Sequence, residues 1–287
     1  MKFSVVIATK DRAALLDAAL ASLRAQEDAP AYELVVVDNG SSDATPEIAR
    51  KHGARYAFVA EPNRGKARNA GVALATGDAI AFVDDDVVTP PHFLAAHAKA
   101  HRDEIFPLAV SGPILNVPDA SQRPKPAAAN ASRAFFVTCN VSVRAASLRA
   151  VGGFDEDFDL YGWEDTELGA RLRAHGVRRA FAWNAYLWHI KPPTPESLED
   201  ALGKAIEKAR MAARFVRKMP TARIKLATGA YAFNLARARV LAPSLAQPLF
   251  AGLASSTRVP PALAQLARTA LLDSVYTEEL ERQLRRH

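Results

Sequence analysis

Asp84, Asp85 and Asp86 stand together at the end of an apolar run, Ala79-Ile80-Ala81-Phe82-Val83. Three carboxylates side by side repel one another unless a cation neutralises them. Oxygen ligands of this kind suit Mg2+ or Mn2+, and an ion held by one or two carboxylates keeps positions open for substrate phosphates. Taken alone, the triplet reads as well as a solvated turn. Asn63-Arg64-Gly65-Lys66-Ala67-Arg68-Asn69 brings cations to the start of a helix, where backbone N–H groups also favour phosphate. Its spacing is neither a Walker loop nor GxGxxG. Glu164 and Asp165 follow Gly162-Trp163 in the first turn of another helix. They act there either as a pair complementing the helix dipole or as a general base beside a bulky Trp163 wall. His189 ends a β-rich run after Trp188, and neutral imidazole is a common metal ligand.

The elements that must position these groups alternate. Phe3–Ala8, Leu34–Val37, Ala57–Val59 and Ala79–Val83 read as strands, with helices over Asp11–Gln26, after Pro46 and over Gly65–Ala75. Strands alternating with helices imply a parallel, helix-covered sheet. Polar residues recur at strand ends: Thr9 and Asp11, then Asp38, then the triplet. Open α/β sheets bind ligands at that edge. A turn or cap reading suits Asp43 and Asp11 better than Asp38, because Asn39 and Gly40 already supply the turn chemistry. Residues 116–133, rich in Pro, Ala, Ser and Asn, read as a mobile loop.

Composition sets the bounds. The 287 residues are 49% hydrophobic and 24% charged, ordinary for a globular chain. A single cysteine, Cys139, excludes an internal disulfide and suits a reducing compartment. No secretory signal and no run of 18 uncharged apolar residues is visible, so a cytoplasmic protein without a membrane span is expected. Residues 1–197 hold 22 Lys and Arg against 24 Asp and Glu; residues 198–287 hold 15 against 7. The basic excess therefore lies in the last third. Lys191-Pro192-Pro193-Thr194-Pro195 reads as the linker, since proline continues neither a helix nor a central strand.

Read in order, strand-Thr9, Val37-Asp38-Asn39-Gly40-Ser41-Ser42-Asp43, Asn63-x-Gly65-x-Ala67-Arg68-Asn69-x-Gly71, Asp84-Asp85-Asp86, Gly152-Gly153-Phe154-Asp155-Glu156 and Trp163-Glu164-Asp165 resemble glycosyltransferase family 2 over roughly residues 1–190. The resemblance implies an α/β fold: a Rossmann-like GT-A catalytic domain over 1–197 with a mostly parallel central sheet. A basic, mainly helical region over 198–287 would follow it. It implies metal-dependent, inverting transfer of a sugar from a nucleotide-sugar, UDP- or dTDP-linked, to a hydroxyl of a glycan, lipid-linked or other acceptor. Cell-envelope polysaccharide or glycoconjugate synthesis is the expected setting. Carried over by position, Thr9 and Asp38 contact the base, Arg64 or Arg68 lies near base or diphosphate, and Asp84 approaches the ribose. Asp11, Asp85 and Trp163 join the nucleotide-sugar-binding set. Asp86 ligates Mn2+ or Mg2+, with His189 as a further ligand. Asp165 is the catalytic base and Glu164 orients the acceptor or the base. Asn140, after a strand over Phe135–Thr138, touches the sugar. The family's triplet is usually Asp-x-Asp, and here the middle residue is also Asp.

Two other classes fit parts of the pattern. A sugar-nucleotide nucleotidyltransferase needs a Gly-rich phosphate loop after the first strand, where this chain has Ala8-Thr9-Lys10-Asp11-Arg12. A non-catalytic nucleotide-sugar-binding protein has no need of Asp86, Asp165 and His189 together. In the tail, residues 204–225 read as one basic amphipathic helix with Ile206, Ala209, Ala213 and Val216 on a stripe. That helix is either packed on the rest of the protein or laid on an anionic membrane at the inner face. No base-reading motif accompanies the charge, so nucleic acid is not an expected partner.

Overall fold

The computed structural model describes residues 1–102, 105–191, 196–241, 243–256 and 258–286. The chain forms two compact units: Met1–Asp159 with Glu164–Pro193, and Leu160–Trp163 with Thr194–His287. The proline-rich linker expected at 191–195 falls mostly outside the described residues.

The first unit opens with β1 (Phe3–Thr9), α1 (Ala13–Arg24), β2 (Tyr32–Asp38), α2 (Thr45–Lys51), β3 (Arg55–Phe58), α3 (Arg64–Leu74) and β4 (Ala79–Val83). It continues through β5 (Val87–Val88), α4 (Phe93–Arg102), β6 (Leu108–Ser111), β7 (Ile114–Val117), β8 (Asn140–Arg144), α5 (Ala145–Ala150), α6 (Glu164–Ala174), β9 (Arg178–Phe181) and β10 (Leu187–Ile190). Seven strands form the central sheet in the order β3-β2-β1-β4-β8-β6-β9. Only β8 runs antiparallel to its neighbours. The continuous apolar runs follow from burial on both faces. Val5, Ile7, Leu34, Val36 and Ala81 enter one core; Val6, Val35, Val37, Ile80 and Phe82 enter the other. On α1, Leu16, Ala19, Leu20 and Leu23 are buried, the helical stripe that covers the first core. α3 comes so close to the sheet that a Cβ on Gly71 would sit 2.4 Å from Val6 Cγ1.

A smaller sheet, β5-β10-β7, stands beside the triplet. β4 ends at Val83 and β5 begins at Val87, so Asp84–Asp86 is the link from one sheet to the other. The first residues of the loop expected at 116–133, Asn116 and Val117, belong to β7. The stretch after them is held by the Trp188 indole N–H, which donates to Pro124 O at 2.9 Å.

The strand expected over Phe135–Thr138 does not form; the strand is β8, beginning at Asn140. The Thr138 N–H donates to Asp165 Oδ2 at 2.9 Å instead of to a neighbouring strand. Phe136 packs edge-on against Phe82 and Phe154. An apolar run can be buried as coil when its N–H groups find side-chain acceptors.

The second unit holds α7 (Leu198–Lys218), α8 (Ala222–Thr228), α9 (Ala232–Leu241), α10 (Gln247–Ser255) and α11 (Pro261–Arg285). The single helix expected over 204–225 breaks at Met219-Pro220, where proline lacks the N–H. Its apolar stripe is not free: Ala209, Ala212 and Ala213 pack with Leu280 of α11 in a common core. The expected boundary at 197 also shifts, because Leu160–Trp163 belongs to this second unit.

Candidate active site

Register places the acids. Thr9 pairs with Asp38 across β1 and β2, and Val6 with Phe82 across β1 and β4. Continuing that register brings Thr9 opposite Asp85, and its Oγ1 donates to Asp85 Oδ2 at 2.7 Å. Arg12 Nη1, just past β1, lies 3.0 Å from both Asp85 Oδ1 and Asp86 Oδ2. In the small sheet His189 pairs with Val87, which sets His189 Nε2 3.0 Å from Asp86 Oδ1. The other ring nitrogen, Nδ1, is 3.1 Å from Asn116 Oδ1, and a partner on that side fixes ring orientation. Burial pushes Asp86 up, but His189 and Arg12 outweigh it and hold the carboxyl below its ordinary range. Asp84 is raised, by burial first and then by repulsion from Asp86 and Asp165, against the pull of Arg68 and His189. Asp85 is raised mainly by burial.

Two findings fit a divalent cation at this point. Asp86 Oδ1 is buried with no hydrogen bond beyond its ion-pair contact with His189, and a buried acceptor left so is costly. Asp84, Cys139 and His189 each present a ligand atom, all within 4.8 Å of one another. The carboxylate and imidazole atoms suit Mn2+ or Mg2+.

A second cluster centres on Arg68, carried on α3. Its Nη1 lies 3.2 Å from Glu164 Oε1 and 3.7 Å from Asp165 Oδ1. Its guanidinium also lies over the Phe154 ring at 5.5 Å. Asp165 Oδ2 accepts from both the N–H and Oγ1 of Thr138 at 2.9 Å. Asp165 Oδ1 is buried and has no hydrogen bond among the described residues. Glu164 is raised by burial and by Asp165. The Gly152–Glu156 turn fixes this cluster. Asn69 Oδ1 accepts from Phe154 N at 2.8 Å, and Asn69 Nδ2 donates to Phe154 O at 2.9 Å. Gly153 has φ 71°, and a Cβ there would meet Asn69 Oδ1 at 2.6 Å, so glycine is required.

The expected residues fall into groups. Asp84, Asp85, Asp86 and His189 come together, as do Arg68, Glu164 and Asp165. Asp84 links the groups electrostatically, for Arg68 and Asp165 both bear on its titration. Arg68 is committed to the carboxylates, whereas Arg64 is exposed at the start of α3 and its charge reaches Glu164. Asp11 is a brace between loops: Oδ1 accepts from Ser42 N at 2.7 Å, and its own N–H donates to Ser41 Oγ at 2.9 Å. Asp38 is fully buried, accepting from Ser41 N and the Tyr56 hydroxyl, so its carboxylate also fulfils the turn reading. Burial and Asp38 together push Tyr56 up to about 12. Asn140 is fully buried, its amide bonded to Pro113 O, Ala185 O and His97 Nε2. Trp163 belongs to the second unit, where its indole N–H donates to Lys208 O at 3.0 Å and the Lys208 ammonium lies over the ring at 5.6 Å.

Sequence reasoning missed Arg12, Asn116, Thr138 and Cys139 as parts of these clusters. Arg12 alone carried a signal, a cation directly after the first strand facing an acidic triplet.

Residues 4–135 match the family described as glycosyl transferase family 2, and residues 123–191 match the N-terminal domain of galactosyltransferase. A validoxylamine A glucosyltransferase of Streptomyces hygroscopicus subsp. limoneus is 33% identical over 262 residues, covering 76% of this chain and 57% of the relative. The chain thus spans less than two thirds of that relative's length. The mannosyltransferase PcManGT from Pyrobaculum calidifontis, solved with GDP-Man and Mn2+, superposes with a TM-score of 0.64 at 20% identity, covering 98% of this chain and 86% of that one. S. aureus TarS 1-349 in complex with UDP-GlcNAc gives 0.54 at 21% identity, covering 98% and 91%. Residues 4–135 are thus similar to glycosyl transferase family 2, and the chain shares its fold with the solved PcManGT and TarS structures.

Proposed function

We propose that the protein transfers a sugar from a nucleotide-sugar to an acceptor hydroxyl in one displacement that inverts the anomeric centre. The supporting observation is the Asp165 carboxylate, with one oxygen held by Thr138 and the other buried without a hydrogen-bond donor. Such a carboxylate has a fixed orientation and a lone pair available for an acceptor proton. Arg68, 3.7 Å from Oδ1, faces it from the other side and is itself paired with Glu164. Arg64, exposed at the start of α3, suits the diphosphate. Asp86 and His189 would hold Mn2+ or Mg2+, with Asp84 beside them. Bound there, the ion supplies Lewis-acid stabilisation of charge on the leaving diphosphate. The nucleotide is proposed as UDP or dTDP and the acceptor as a glycan or lipid-linked hydroxyl in envelope or glycoconjugate synthesis. Both follow from the family resemblance, and one relative's name adds validoxylamine A as an acceptor to test.

The test is release of nucleoside diphosphate from a panel of UDP-, dTDP- and GDP-sugars, followed by the Asp165→Asn variant on the active pair. Asn keeps the shape and cannot take the proton. Transfer should fall by about 10²-fold or more while affinity for the nucleotide-sugar stays. Full activity in Asp165→Asn removes the base assignment; turnover of none of the sugars removes the reading.

A further inference from the structure

From Lys208 to Leu272 the chain holds eleven Lys and Arg and no Asp or Glu. Over this stretch the second unit turns large apolar side chains outward. Leu245 is 95% exposed, Val240 77% and Phe233 75%, with Leu249, Leu263 and Leu266 also exposed. α10, Gln-Pro-Leu-Phe-Ala-Gly-Leu-Ala-Ser, carries no charge, and none of its residues is buried. On α9, Phe233, Arg237 and Val240 share one stripe by helical spacing. Large apolar side chains left exposed this densely along one stretch point to an interaction surface.

The cations decide between occupants. Arg237 and Arg239 pair with Asp273 and Glu281 of α11. Arg223, Lys225 and Arg258 are exposed and make no ion pair among the described residues. A second copy on a two-fold axis would set cation against cation, because such an interface is self-complementary. Nucleic acid would use the cations and leave the leucines in water. An anionic bilayer takes both: acyl chains receive the apolar side chains and headgroups receive the cations. Among the described residues no helix is long and apolar enough to cross a membrane, so the mode argued for is lying on the surface. The α7 stripe singled out in the sequence is covered by α11, and the exposed apolar surface is carried instead by α9–α11.

We propose that α8–α11 form a docking face for an anionic lipid surface, with Leu245, Leu249, Leu263 and Leu266 entering the acyl boundary and Arg223, Lys225 and Arg258 at the headgroups. The inference is independent of the transfer reaction. The full chain should float with vesicles of phosphatidylcholine and phosphatidylglycerol at about 3:1, fail to float with phosphatidylcholine alone, and lose about tenfold in affinity between about 50 and 300 mM NaCl. Leu245→Ser with Leu249→Ser should weaken binding about tenfold with an unchanged melting temperature, since both side chains are exposed. A Leu249→Trp variant should be quenched by brominated acyl chains. Four results overturn the proposal: indifference to both vesicle types, binding untouched by the leucine pair, a lipid-free dimer that the leucine pair dissociates, and tighter binding to oligonucleotide than to vesicles.

Discussion

Asp86 faces two nitrogen groups at once, the Arg12 guanidinium on Oδ2 and the His189 imidazole on Oδ1. Asp165 has one oxygen held and one spare. Asp86 was legible in the sequence because unlike chemistry at the end of an apolar run is rare, and Asp165 as one of a carboxylate pair in the first turn of a helix. Asp38 and Asn140 are harder to read, because a polar residue at a strand end also satisfies backbone groups, as Asp38 does for Ser41 N and Asn140 for Pro113 O. The metal role of Asp86 is testable by itself. Asp86→Ala should stay folded, because the residue lies in a link between sheets rather than in a core. It should lose most of the rise in melting temperature that Mn2+ with a nucleoside diphosphate gives the parent. A rise equal to the parent's would show that the ion, if bound, is held elsewhere.

At the scale of elements, register did what residue type alone could not. The alternation of β1, β2 and β4 between two cores was readable as continuous apolar runs. Pairing of β10 with β5, which brings His189 to Asp86 across about a hundred residues, left no local trace. The same is true of α4. His97 Nδ1 and His101 Nε2 both lie 2.8 Å from Ser142 Oγ on β8. Burial lowers His97 to about 3 and His101 to about 4. The unfolded chain takes up these protons as pH falls through about 6.5, whereas the folded chain does not. The stability involved is therefore complete above about 6.5 and is lost progressively as pH falls toward 4, at about 1.4 kcal/mol per histidine per pH unit. Urea unfolding at pH 7 and pH 5 should show the loss. His97→Gln should flatten the dependence; an unchanged slope would assign the loss to other groups.

For the whole molecule, charge partition and proline content put the division of the chain near 197. The second unit nevertheless includes Leu160–Trp163, which no composition shift announces. Tyr161 N donates to Glu207 Oε2, and Trp163 contacts Lys208 and packs 6.1 Å from the Phe215 ring. A chain ending at Ser197 would leave Trp163 without these partners, directly before Glu164 and Asp165. It should melt at least about 4 °C below the full chain and bind a hydrophobic dye. An equal melting temperature would show that the first unit stands without its tail.

The three-residue link between β4 and β5 constrains how such a protein can diverge. Asp84–Asp86 is a tight turn between β4 and β5, so one added or lost residue there would move Asp86 away from His189. Asp85 ties that link back to β1 through Thr9 and Arg12, so its length is constrained at both ends. Residues 118–133 carry no strand and mostly exposed side chains. Insertions and deletions among descendants of this chain would collect there, leaving the acidic link as a fixed ruler within a lineage of varying loop length.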